Sequence, residues 1–111
     1  MLSKDKLALQ GILESIVKIA LYTKSVSTVE DLRNNELVFD ACLINLVNIG
    51  EMVNRLSDEF IEEHSAIEWH KIKALRNIIA HDYFGIDYDE IWSVINLHLP
   101  LLKQFIDKLN L

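Results

Sequence analysis

Leu7-Ala-Leu-Gln-Gly-Ile-Leu-Glu-Ser-Ile-Val-Lys-Ile-Ala-Leu-Tyr22 is the stretch on which the fold class turns. Leu9, Ile12, Leu13, Ile16, Ile19 and Ala20 follow the 3.6-residue stripe of an amphipathic helix, which the spacing predicts over residues 4–23. Gln10, Glu14 and Lys18 recur every four positions on the other side, and Glu14 with Lys18 makes a favourable i,i+4 pair. Those same polar residues break up the greasiest segment of the chain well before the 18 or so apolar residues that a membrane span needs.

Outward from this segment the same period continues. Thr23 to Thr28 reads as a loop, and Ser27 with Glu30 or Thr28 with Asp31 offers a capping box. The helix it opens is predicted to reach about Leu56, with Leu37/Val38, Ala41/Cys42, Leu46, Ile49 and Val53 as core and a weak point at Asn34-Asn35. Ser57 to His64 is acidic and reads as a connector or a short helix. Ser65 and Glu68 form a further capping box for a third helix to about Ala80, with Trp69, Ile72, Leu75, Ile78 and Ile79 apolar. Asp87 with Glu90 caps a fourth helix, bearing Ile91, Val94/Ile95, Leu101/Leu102, Phe105 and Leu109, which Pro100 should kink near Asn96 and Leu97. The expectation is all-α: an antiparallel four-helix bundle with room for one short extra helix, as a single domain over 1–111.

Composition agrees. Among 111 residues there are 3 Gly and 1 Pro, too few for a sheet protein that must turn every 8–12 residues. Half the residues are hydrophobic and a quarter charged, which excludes disorder and low-complexity repeats. One cysteine, Cys42, excludes an internal disulfide framework; it reads as a core residue, and with no signal-peptide pattern at the N-terminus the expected location is the cytoplasm. The net charge of −6 argues against coating a long duplex. Its distribution leaves one basic window, Trp69 to Arg76, which could hold a phosphate locally.

The window runs into Arg76-Asn77-Ile78-Ile79-Ala80-His81-Asp82-Tyr83. Read structurally, Arg and His near a helix end complement the last carbonyls and the macrodipole, with Tyr83 and Phe84 as corner packing. Read chemically, a guanidinium binds phosphate and stabilises transition-state charge, while a neutral-pKa imidazole moves protons at a ribose 2′-OH or a leaving oxygen. Five residues separate Arg76 and His81 by about 140° on a regular helix, so they converge only if the helix stops before His81 or a second copy supplies the matching pair. The four histidines, His64, His70, His81 and His98, lack metal-ligand spacing, and Asp87 to Glu90 lacks the glycine and terminal Glu of a calcium loop. His64 and His70 are expected on solvated faces, and Trp69 and Trp92 in the core or an interface.

Arg76-Asn77-x-x-x-His81-x-Tyr83, with Ile49-Gly50-Glu51-Met52 and Trp69 followed by Ile72 and Leu75, resembles the HepT-like ribonuclease toxins of the HEPN superfamily along essentially the whole chain. The resemblance implies a homodimeric, metal-independent endoribonuclease with no cofactor. Arg76 and His81 would then be catalytic in a cleft between protomers, with Asn77 supporting. It also implies Glu51 as a residue that orients Arg76 or its partner through a salt bridge. The implied partners are RNA and an MNT-type nucleotidyltransferase antitoxin that transfers AMP to Tyr83; no membrane is implied. The alternative is a non-catalytic HEPN helical module that docks a nucleotidyltransferase.

Overall fold

The computed structural model describes residues 1–111 and contains helices and turns without a strand. Helix α1 spans Ser3–Tyr22, α2 Val29–Arg33, α3 Glu36–Asn54, α4 Asp58–Glu63, α5 Trp69–His81, α6 Tyr88–Ser93 and α7 Leu99–Asp107. The long rods α1, α3 and α5 and the bent rod α6–α7 form the four-helix bundle the periodicity predicts. Pairing between rods is antiparallel: the side chain of Asn48 donates to Ser15 at 2.7 Å and the amide of Ser57 to Asp5 at 2.6 Å, so α3 runs back along α1. In the same way Gly50 and Glu51 meet Arg76 while Asp40 meets Tyr83, so α5 runs back along α3. One cluster of 22 buried apolar side chains fills the centre.

Where the structure departs from periodicity, backbone chemistry explains it. The second predicted helix is two. Its chain breaks at Asn34-Asn35, where Asn35 turns its side-chain oxygen onto the Val38 amide at 3.1 Å and caps α3 afresh. Thr28 caps α2 by accepting from the Asp31 amide, and Asp31 accepts from the Ser27 amide. The Ser65 and Glu68 capping box does not form. His64 to Ile67 turns instead, buried Trp69 donates its indole N–H to the His64 carbonyl at 3.0 Å, and α5 begins only at Trp69. Glu68 pairs with Lys71 at 2.9 Å rather than capping the backbone.

The bend before Pro100 is a π turn over Val94–His98. Proline has no N–H to return to Asn96, and the widened turn absorbs that loss. Two other expectations are corrected. His64 is not on a solvated face, because its ring packs at 4.5 Å from Phe60 and 5.2 Å from Phe105. Leu37 and Leu101 lie on the outside, Leu37 being 82% exposed. Cys42 is in the core as expected, and burial pushes its thiol up to about 11.

Candidate active site

The site is built where α3 and α5 come closest. A Cβ on Gly50 would collide with Arg76 Cβ and stand 2.7 Å from its Cγ. Glycine is therefore what lets the two backbones approach. The next residue, Glu51, then reaches across, and its Oε1 lies 2.5 Å from Arg76 Nε. Both atoms are buried and neither has another partner; the contact is an ion pair whose N–H is not aligned for a hydrogen bond. The Arg76 side chain as a whole is 28% exposed, and its Nη1 donates to Asn77 Oδ1 at 3.0 Å. One edge of the Arg76 fork is thus tied down, while the side chain still reaches the surface.

His81 is the last residue of α5 and is exposed. The helix does not stop short of it, so Arg76 and His81 keep the wide angular separation of a regular helix. Arg76 faces α3, whereas His81 is turned toward open surface. Within one copy the pair does not converge.

Tyr83 follows in a 3₁₀ turn, Tyr83–Gly85. Its hydroxyl donates to Asp40 Oδ1 at 2.6 Å, so the phenol folds back onto α3 rather than toward Arg76. Hydrogen bonding to a carboxylate, then partial desolvation and the charges of Asp40 and Glu36, push this phenol up to about 12. Leu43, Ile44, Val47 and Ile79 complete a groove of about 330 Å³ beside the pair. Large apolar side chains are exposed nearby: Ile44 is 71% and Phe84 99% exposed. A second cavity of about 440 Å³ opens between α5 and the bent rod, and neither Arg76 nor His81 lines it.

Among the predicted site residues, then, Glu51, Arg76 and Asn77 are joined by direct contacts, while His81 and Tyr83 stand apart from them. Asp40 was absent from the sequence reading. Its only signal is a carboxylate interrupting the apolar series Leu37, Ile44 and Val47 on one helix face. No group of three His, Cys, Asp or Glu side chains comes together as a metal ligand set, and no helix is long and apolar enough to cross a membrane.

An all-helical bundle with an Arg–x4–His–x–Tyr segment braced by Gly-Glu defines the class, and comparison with known proteins agrees. The chain belongs to the ribonuclease HepT-like family, whose model matches residues 12–109. It is 36% identical over 104 residues to a Methanocaldococcus jannaschii protein named "Gamma-glutamylcyclotransferase and putative RNase", covering 94% of this chain but 46% of that one. A "Putative RNase" of the same organism is 32% identical, with 92% and 93% of the two chains covered. The "Probable ribonuclease HepT" of Thermococcus cleftensis is 29% identical, with 92% of each covered. The chain thus spans about half the length of the first of these relatives and nearly all of the other two. No solved structure matches it.

Proposed function

We propose that the protein is an endoribonuclease of the HepT type, the toxin of a toxin–antitoxin pair, active as a homodimer in the cytoplasm. The observation that carries this reading is the braced Arg76: Gly50 makes room for it, Glu51 holds its Nε, and the rest of the fork faces outward. A guanidinium fixed in this way can grip a scissile phosphate without reorganising as charge builds on its oxygens. His81 moves the proton of the attacking 2′-OH or of the leaving oxygen. Asn77 supports the fork. Two copies bring two such pairs to one phosphate, with the exposed apolar face of Leu37, Ile44 and Phe84 covered between them. No metal or cofactor enters the reaction.

Regulation by an MNT-type nucleotidyltransferase follows from Tyr83. AMP added to its hydroxyl places an anion and a bulky nucleoside over the groove beside Asp40, where its bulk would block RNA at the cleft between copies; the phenol points away from the Arg76 of its own copy. The turn is accessible to a partner's active site, Tyr83 being 45% exposed.

The test is cleavage of RNA in EDTA. Activity should persist, leave a 2′,3′-cyclic phosphate, and vanish when the scissile ribose is 2′-deoxy. Loss of cleavage on chelation would contradict the mechanism. Binding of RNA or of a nucleotidyltransferase with no cleavage under any condition would favour a helical docking module instead.

A further inference from the structure

We propose that Asp40 is the proton acceptor that makes Tyr83, among the three tyrosines, a nucleophile toward phosphorus electrophiles. The nucleotidylation of Tyr83 proposed above is the biological form of this chemistry, and its identity rests on that reading. The geometry itself does not depend on it.

Selective reaction at a tyrosine needs access, a base within hydrogen-bond reach, and somewhere for the electrophile to sit. Tyr83 has all three. It is exposed, its hydroxyl lies 2.6 Å from Asp40 Oδ1, and the apolar groove of Leu43, Ile44, Val47 and Ile79 opens in front of the pair. The other two lack this combination. Tyr22 ends α1 half-buried, and Tyr88 packs its ring 4.5 Å from Phe39 with the Arg33 guanidinium 5.1 Å above it. Neither hydroxyl is hydrogen-bonded to a carboxylate, as that of Tyr83 is.

The bond to Asp40 favours the neutral phenol, so free phenoxide is scarce near neutral pH. Glu36 on α3 and Tyr88 on α6 act in the same direction, and His81 and Asp82 precede Tyr83 on its own segment. A route through free phenoxide is therefore disfavoured. A concerted route is not. Tyr83 Oη attacks phosphorus, the new O–P bond forms as the bond to the leaving group breaks, and the phenolic proton passes to Asp40 Oδ1. With a nucleoside triphosphate as co-reactant, attack falls on the α-phosphorus and pyrophosphate leaves. Asp40 then returns the proton to water.

An alkyl fluorophosphonate probes this step without a partner protein, with fluoride as leaving group. Treated as the full chain and read by intact mass and peptide mapping, the protein should gain one adduct, on Tyr83. Asp40→Asn keeps an accepting oxygen but loses the base, and should slow labelling by roughly 100-fold. Asp40→Ala should slow it at least as much, and Tyr83→Phe should take no label. The wild-type rate should stay nearly level between about pH 7 and 9, the signature of a general base rather than of free phenoxide. Equal or faster labelling of Asp40→Asn would overturn the assignment. So would a tenfold rise per pH unit, adducts on Tyr22 or Tyr88, or no labelling at all. Incubation with ATP and a nucleotidyltransferase tests the biological reading separately. Asp40-dependent labelling without AMP addition would defeat nucleotidylation while leaving the role of Asp40 intact.

Discussion

The seam where α3 and the turn after it meet α1 and the seam where α3 meets α5 carry polar contacts of opposite character. Toward α1, Asp5 is buried, accepting from the Ser57 amide at 2.6 Å and its hydroxyl at 2.8 Å, while Ser15 meets Asn48. Toward α5, Glu51 and Arg76 are joined but half open to solvent, and Asp40 and Tyr83 bond at an exposed corner. Helix-on-helix packing is similar on both sides. The difference lies in what the polar groups can still do. On the α1 side Asp5 and Ser57 satisfy each other inside the protein, whereas the α5 side keeps an arginine fork, an imidazole and a phenol open to solvent. The first seam holds the bundle together, and the second is where the proposed chemistry falls.

The largest separation between the seams should appear in catalysis. Arg76→Ala should lower RNA cleavage by roughly 100- to 1000-fold, the usual cost of one transition-state donor, while leaving the thermal melt almost unmoved. His81→Ala should do the same; loss of helical circular dichroism in either variant would assign the residue to folding instead.

On the α1 side, Asp5→Ala should cost about 1.5–3 kcal/mol in urea unfolding, because it leaves Ser57 donors buried without their charged acceptor. Burial alone would raise the Asp5 carboxyl, but the bonds from Ser57 and Leu2 outweigh it and hold it below the usual carboxylate range. A depressed folded-state pKa means that its stabilisation is complete above the unfolded value of about 3.9 and is lost as pH falls through the lower folded value. Urea midpoints taken through that acid range should fall less steeply in Asp5→Asn than in wild type.

Gly50→Ala sits between the two cases. Its methyl must displace Arg76, so it should destabilise the fold by about 1–3 kcal/mol and also reduce cleavage. A variant that melts like wild type but has lost activity would show that the close approach serves Arg76 more than packing. The smallest effect on folding should come from Ile44→Glu. On an exposed position it should leave the monomer's melt within about 0.5 kcal/mol, yet shift sedimentation from dimer to monomer and abolish cleavage.

Much of this molecule was legible from the chain. Apolar period fixed the helices, and low Gly and Pro content excluded sheets. The break at Asn34-Asn35 and the irregular turn before Pro100 fell where expected, because both depend on local backbone chemistry. Ser65 and Glu68 misled because a capping pattern competes with burial of the adjacent Trp69 ring, and burial of a large aromatic is the stronger term. Leu37 misled in another way: period shows which residues share a face but not whether that face meets another helix or lies open. The Gly50-Glu51 pair gained its physical reason only when Arg76 was seen lying against the glycine. Asp40 could not be found from sequence, since its contact with Tyr83 spans 43 residues and matches no spacing rule.

In the proposed dimer one phosphate is served by residues of two copies, because α5 carries Arg76 and His81 on different faces. Mixing inactive Arg76→Ala with inactive His81→Ala and assaying RNA cleavage in EDTA tests it most directly. The mixture should recover a substantial fraction of wild-type activity as heterodimers form, each with one intact Arg76 and one intact His81 facing the same cleft. A mixture that exchanges subunits yet stays as inactive as its components would contradict it.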